Sequence, residues 1–180
     1  MDDSFIAKPL GQRQIDQAYP LVRAVAPDLP VERWRAFAAA LIGSLDTPAP
    51  PTGIMTVQNT RGYLHGLFSY AVEEHLRHGR ILAVENFVVL DLFDTSGPAE
   101  ALLRSMEVLA RGLGCTAIHT TLPEGAAERP DAPLLACFRN EGHRTEAVRM
   151  CKPLDGANDN RAQSPRKSPR GGTRDAEPPR

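Results

Sequence analysis

One continuous stretch, residues 81–113, most constrains how this 180-residue chain can fold. Its first part is apolar and rich in β-branched and aromatic residues, which is typical of a buried strand. These residues are Ile81, Leu82, Val84, Phe87, Val88, Val89 and Leu90. Residues 94–98 then favour a turn, and apolar residues follow at three- and four-residue spacing, which predicts an amphipathic helix. The stretch therefore predicts a strand, a short polar turn and a helix in direct succession.

The turn before this helix is a candidate anion-binding site. The free N–H groups of a helix's first turn point outward, and the helix dipole favours negative charge there. Because most strand–turn–helix units bind nothing, a purely structural turn remains the alternative.

Composition and charge exclude several classes of protein. The length suits one domain with a hydrophobic core, and a net charge of −1 gives no global attraction to nucleic acid or an anionic membrane. The acidic start of the chain predicts no signal peptide, and no apolar run is long enough to span a bilayer. Three widely spaced cysteines predict free thiols in a reducing compartment. We therefore expect a cytoplasmic protein.

The remaining patterns predict an α/β fold of the α+β type. A strand near residue 5 precedes two helices, at 15–25 and 28–43, and three antiparallel strands lead to residue 90. After the central helix come a buried strand at 115–122, a short helix at 134–138 and a last strand at 144–152. This order predicts a mixed, mostly antiparallel sheet flanked by helices.

The C-terminal residues 155–180 differ from the rest in composition. They contain no aromatic or large aliphatic residue, so nothing offsets the entropy cost of ordering them. We expect a folded domain at residues 1–154 and a disordered tail rich in Pro, Arg and Ser at 155–180. Its Ser-Pro-Arg repeats match basic or phosphorylation motifs, although a solvated tail is the simpler interpretation.

The residues of the central turn and helix resemble the coenzyme A (CoA) loop of the GCN5-related N-acetyltransferases (GNAT). That family shows Arg/Gln-x-x-Gly-x-Gly/Ala followed by a Leu pair, and the strand before this pattern ends in Val-x-Pro. The matching residues are Val89, Gly97, Ala99, Leu102 and Leu103. Asp94 stands where the family has Arg or Gln, and Asp91 where it often has Pro. The resemblance extends over about residues 5–154 through the order of the elements.

The resemblance implies an acetyl-CoA-dependent N-acyltransferase that acts on an unidentified amine, either a small molecule or a protein. Acetyl-CoA, or another acyl-CoA, would lie in a V-shaped splay between two central strands. The residues implied in cofactor binding are Val88, Val89 and Leu90 for the pantetheine, and Asp94, Thr95, Ser96, Gly97, Pro98 and Ala99 for the pyrophosphate. No nucleic-acid or membrane partner is expected, and a homodimer is left open.

A second family signature, Asn-x-x-Ala-x-x-x-Tyr-x-x-x-Gly-Phe, reads Asp131, Leu134, Phe138, Gly142 and His143 here, and only Gly142 is retained. The resemblance adds Asp131 and Phe138 to the implied cofactor-binding residues. Phe138 stands where the family often has a Tyr that protonates the leaving thiolate, so it keeps the ring and lacks the proton. A catalytically silent binding or regulatory protein with the same fold is therefore the alternative to an enzyme.

Glu85 is the candidate general base. It interrupts an apolar run in the central strand, where burial raises the pKa of a carboxyl group. Strict alternation would place Glu85, Phe87 and Val89 on one face of the sheet. The alternative is that Glu85 makes an ordinary contact with solvent or the first helices.

Two further features carry weaker expectations. His75 and His78 share a three-residue interval that suits a metal only in a helix, and their segment predicts a hairpin, so no metal is expected. Trp34 is expected to be a core residue, with the wall of a substrate pocket as the alternative.

Overall fold

The strands form one sheet whose spatial order follows the sequence. The computed structural model describes residues 4–42, 50–90, 96–122 and 133–152. Their elements are β1 (Ile6–Pro9), α1 (Ile15–Val25), α2 (Val31–Ile42), β2 (Thr52–Gln58), β3 (Leu64–His75), β4 (Gly79–Val89), α3 (Ser96–Gly112), β5 (Ala117–Thr120) and α4 (Pro133–Asn140). Strands β1 to β4 pair antiparallel and β4 pairs parallel with β5. The predicted mixed, mostly antiparallel sheet is confirmed, and the described residues up to Arg149 belong to one compact unit.

Two hydrophobic cores lie on opposite faces of this sheet. One core packs side chains of β2, β3 and β4 against α3 and α4, and the other packs α1 and α2 against the reverse face. The pairs Ile54/Met55 and Leu67/Phe68 divide between the two cores, as strand alternation requires. Both faces of the central strands are therefore covered, which explains their apolar sequences.

The first helix pair is held by specific polar contacts. The Trp34 indole N–H donates to the Ile15 carbonyl at 2.7 Å, and Trp34 is 2% exposed. The Asp16 carboxylate accepts two hydrogen bonds from Arg35 of α2, at 2.8 and 3.0 Å. Helix α1 also continues through Pro20. The core interpretation of Trp34 is confirmed.

A β-bulge in β4 breaks the alternation predicted for this strand. The register with β3 shifts between Leu67 and Ser69, and Asn86 adopts φ 54°. Val84 and Phe87 consequently pack in the same core, beside α3 and α4, whereas alternation would separate them. The prediction that Glu85 lies on the face of Phe87 by simple alternation is therefore wrong.

The predicted last strand, residues 144–152, is absent from the described part of the chain. That segment forms neither a strand nor a helix, and Val148 and Met150 are 84% and 89% exposed. Its apolar residues alternate without a sheet face to cover them, so the pattern lacks the burial that stabilises a strand. The predicted tail at 155–180 lies outside the described residues.

Cys115, Cys137 and Cys151 are all free thiols. Within the described ranges, no helix is both long and apolar enough to cross a membrane.

Gly66 permits a close approach that any larger residue would prevent. A Cβ there would lie 2.7 Å from the Val88 carbonyl oxygen and 3.0 Å from Leu102 of α3. We expect Gly66→Ala to lower the free energy of unfolding by about 1–3 kcal/mol, because the backbone of β4 must move. Urea unfolding of the full chain measures this change.

Gly112→Ala is the matched control, since a Cβ at this helical position meets nothing within 4 Å. It should stabilise the fold by about 0.4–1 kcal/mol through the unfolded state. Equal stability of the two variants would contradict the close packing described at Gly66.

Candidate functional site

The pairing between β4 and β5 ends in the middle of β4. Their parallel register runs from Ile81 beside Ala117 to Val84 beside Thr120, and the Thr121 N–H donates to the Val84 carbonyl at 2.9 Å. Beyond Val84, β4 continues to Val89 with no further strand pairing on that edge among the described residues. The splay between central strands that the family resemblance implies would lie here, beside the bulge at Asn86.

The open edge of β4 presents the backbone of Val89. The Leu90 N–H donates to the His65 carbonyl at 2.8 Å, so Leu90 faces β3. The Val88 carbonyl also points toward β3, because it lies against Gly66. Backbone groups alternate in direction along an antiparallel strand, so the N–H and C=O of Val89 point into the open edge. Of the three residues predicted to align pantetheine, Val89 is the one with that orientation.

Helix α3 begins beside the end of β4. Its first residues are Ser96, Gly97, Pro98 and Ala99, and Pro98 and Ala99 are buried. A Cβ on Gly97 would lie 3.0 Å from the Phe5 ring, so the absent side chain there is explained by packing.

Three residues of the predicted site, Asp94, Thr95 and Asp131, lie outside the described residues. The structure therefore brings Val89 and the residues 96–99 to one corner of the fold. Their roles in cofactor binding stay predictions.

Glu85 lies where the two strands part. Its side chain is 48% exposed and forms an ion pair with Arg149, which also donates to the Thr121 hydroxyl at 3.2 Å. Arg149 thus bridges β4 and the end of β5 at the apex of the splay. The prediction that Glu85 is buried among apolar neighbours is wrong, and the solvent-facing alternative holds. Its role as a base stays a prediction.

Phe138 occupies the core beneath the splay. It is 3% exposed, with its ring 5.0 Å from Phe87 and 5.0 Å from His143. Burial lowers the pKa of His143, so its ring is neutral near pH 7 and is suited to accept a proton, not to donate one. Neither ring therefore supplies an acid in the position of the family's Tyr.

A mostly apolar pocket of about 250 Å³ lies between α1, α2 and the sheet. Its walls include Trp34, Leu29 and Val88. A role of Trp34 in substrate binding stays a prediction. Its polar part is Ser69 and Asn86. The Asn86 amide donates to the Ser69 hydroxyl at 2.8 Å, and that hydroxyl donates to the Glu85 carbonyl at 3.0 Å.

Sequence reasoning missed this polar pair. Ser69 and Asn86 stand in strands where the expected pattern gave them no role, and only the bulge brings them together. An Asn inside a strand, a residue type tolerant of positive φ, was the one available signal.

A second cleft, of about 450 Å³, lies between α3, β5 and the segment after α4. It contains His78, His119 and Glu146, and His75 adjoins them. Burial, followed by the charges of His75 and His78, lowers the pKa of His119. The predicted hairpin at His75–Gly79 is confirmed, but the approach of His119 was not predicted.

Comparison with solved structures agrees with this architecture. An aminoglycoside N-acetyltransferase in complex with CoA has a TM-score of 0.67 at 13% identity, covering 85% of this chain and 97% of its own. Glucosamine-6-phosphate N-acetyltransferase from Arabidopsis thaliana gives 0.64 at 13% identity, covering 85% and 100%. This chain has the GNAT fold.

The GNAT fold also includes proteins described in other terms. A transcriptional regulator from Bacillus halodurans matches with a TM-score of 0.63 at 17% identity, covering 82% of this chain and 99% of its own. No protein-family profile matches the sequence, and no curated protein sequence matches it. At these identities the likeness shows the fold, and the chemistry must be argued from the residues.

Asn86 offers a direct test of the bulge. Its positive φ is costly for a β-branched residue and free for glycine. We expect Asn86→Val to lose roughly 1–2 kcal/mol more stability than Asn86→Gly, because both lose the Ser69 hydrogen bond and only Val is strained. Urea unfolding of the two variants measures the difference, and equal midpoints would rule out a left-handed backbone at this residue.

Proposed function

We propose that this protein is an acyl-CoA-dependent N-acyltransferase, with acetyl-CoA as the expected co-substrate and an amine as acceptor. The observation that carries the proposal is the open edge of β4. A thioester arm lying beside Val89 would replace the missing strand and pair with its backbone N–H and C=O. The acyl-transferring names of neighbours with this fold support the same conclusion.

The diphosphate would lie at the start of α3. The residues from Asp94 to Ala99 include the helix N-terminus, which attracts anions through its backbone N–H groups. Pro98 has no N–H, so its neighbours must supply the donors. Asp94, two residues before the helix in the sequence, departs from the family pattern, and a negative charge near this corner would weaken phosphate binding.

The apolar pocket beside Val88 would receive the acceptor. The pocket lies on the face of the sheet covered by α1 and α2. Val88, one of its walls, is next in sequence to Val89, whose backbone groups point into the open edge. Its walls favour an amine with an apolar body, and the Asn86 amide adds a polar group. Glu85, one residue before Asn86, would take the proton of the amine directly or through water once Arg149 moves away.

A catalytically silent binding or regulatory protein is the second candidate. It is favoured by the ion pair between Glu85 and Arg149, which occupies the proposed base. The buried Phe138 also lacks the proton that the family's Tyr supplies. This candidate expects CoA binding without release of free thiol across a panel of amines.

Calorimetry with acetyl-CoA tests the cofactor site. Asp94→Arg should tighten binding roughly tenfold, because a charge-assisted hydrogen bond to phosphate replaces a repulsion. The matched control ligand is acetyl-pantetheine, which lacks the diphosphate and should bind both proteins equally. Undetectable binding of acetyl-CoA at millimolar concentration would remove the transferase proposal, and an equal gain for both ligands would place Asp94 elsewhere.

Turnover tests the base. With an accepting amine in hand, Glu85→Gln should slow thiol release about 100-fold, since general bases typically contribute that much or more. The Kd for acetyl-CoA should stay unchanged, because the carboxylate acts on the acceptor. Glu74→Gln, an exposed carboxylate beside Arg80 in the sheet register, is the matched control. Equal rates for the two variants would show that Glu85 is not the general base.

A further inference from the structure

Three histidines from two separate elements converge at one end of the sheet. His75 ends β3, His78 lies in the turn of the β3–β4 hairpin, and His119 comes from β5. Their ring centroids lie 4.5 Å (His75–His119), 5.1 Å (His75–His78) and 5.2 Å (His78–His119) apart. One ring nitrogen of each lies within 4.8 Å of the others.

We propose that His75, His78 and His119 bind a divalent transition-metal ion, with Glu146 orienting His78 from outside the ligand set. Three imidazoles are the ligand type that suits zinc, copper and nickel, and three protein ligands leave a position for water or another ligand. The site lies at the end of β4 opposite the splay, so it is separate from the proposed cofactor corner.

The contact between His78 and Glu146 is of the kind found around bound metals. The Nε2 of His78 lies 3.2 Å from the Glu146 carboxylate, which leaves Nδ1 to bind an ion. A carboxylate on the far nitrogen fixes the ring orientation and increases the basicity of the ligand. Arg77 also donates to Glu146, at 3.0 Å, and so holds the carboxylate in place.

His119 contributes an unsatisfied nitrogen. Its Nε2 is buried and has no hydrogen-bond partner among the described residues. Buried polar atoms are nearly always satisfied, so an orphaned imidazole nitrogen beside two other imidazoles indicates a missing ligand. A metal ion would satisfy it without adding a donor or acceptor from the protein.

The hairpin is already fixed at the required position. The Thr116 hydroxyl lies within hydrogen-bonding distance of the carbonyls of His78 and Arg80, between which its one proton is shared, and the Thr116 N–H donates to the Arg80 carbonyl at 2.8 Å. The start of β5 therefore holds the turn that carries His78. Gly79, with φ 65°, closes this turn in a conformation that other residues adopt with difficulty.

Binding requires a modest rearrangement of side chains. Tetrahedral zinc with bonds near 2.05 Å places its nitrogen ligands about 3.3 Å apart, so the rings must close from a separation of up to 4.8 Å. The Nδ1 of His75 accepts long contacts of 3.3 Å from the N–H groups of Arg77 and His78. Binding an ion through either ring nitrogen of His75 would give up those contacts, because Nδ1 would then hold either the metal or the ring proton.

Calorimetry with Zn²⁺ on the full chain without a histidine tag tests the site. One equivalent should bind, and His119→Gln should weaken binding at least tenfold. His143→Gln is the matched control, because His143 lines the same cleft but lies outside the trio. Its affinity should match that of the unaltered protein, and an equal loss in both variants would overturn the proposal.

Two additional measurements guard against misfolding and thiol binding. Glu146→Gln should keep the stoichiometry and weaken Zn²⁺ binding by about 10- to 100-fold, as expected when the partner of a metal-bound histidine is removed. The Co²⁺ form should show a d–d spectrum without thiolate charge transfer. A thiolate band, or full affinity in the His75→Gln/His119→Gln double variant, would show that the ion binds elsewhere.

Discussion

The bulge at Asn86 is the constraint on which the rest of the structure depends. Asn86 donates to Ser69, and Ser69 donates to the Glu85 carbonyl, so side chains stabilise the extra residue where the ladder is interrupted. After it, Phe87 faces α3 and α4 while Val88 faces α1 and α2. A regular strand would reverse these two and expose apolar surface in both cores.

The same irregularity joins packing to chemistry. It lies on the part of β4 that β5 leaves unpaired, and it places the Ser69–Asn86 pair on the apolar pocket. An open backbone edge, a polar pair and a pocket therefore meet around a few residues of one strand. Arg149, which comes from the segment after α4, forms an ion pair with Glu85 at the point where β4 and β5 stop pairing.

Apolar sequence patterns predicted the elements that pack on a core. Helices α1 to α4 and strands β1 to β5 follow apolar spacing because their side chains pack on a core. Residues 144–152 alternate in the same way, yet Val148 has no core beside it, and periodicity alone cannot report that difference. Glu85 looked buried because its neighbours are apolar, whereas its side chain is 48% exposed and paired with Arg149. The meeting of His119 with His75 is a tertiary contact between residues far apart in sequence.

The packing of Phe5 on Gly97 connects the beginning of the chain to the first turn of α3. Phe5 also stacks edge-on against His65, whose carbonyl binds the Leu90 N–H at the end of β4. Phe5 therefore lies beside the corner proposed for the diphosphate, and a peptide fused close ahead of it would begin near that corner. An affinity tag placed there would crowd that corner. A polyhistidine tag would also compete with the proposed histidine site for divalent metal ions, so purification tags should not be placed at this terminus.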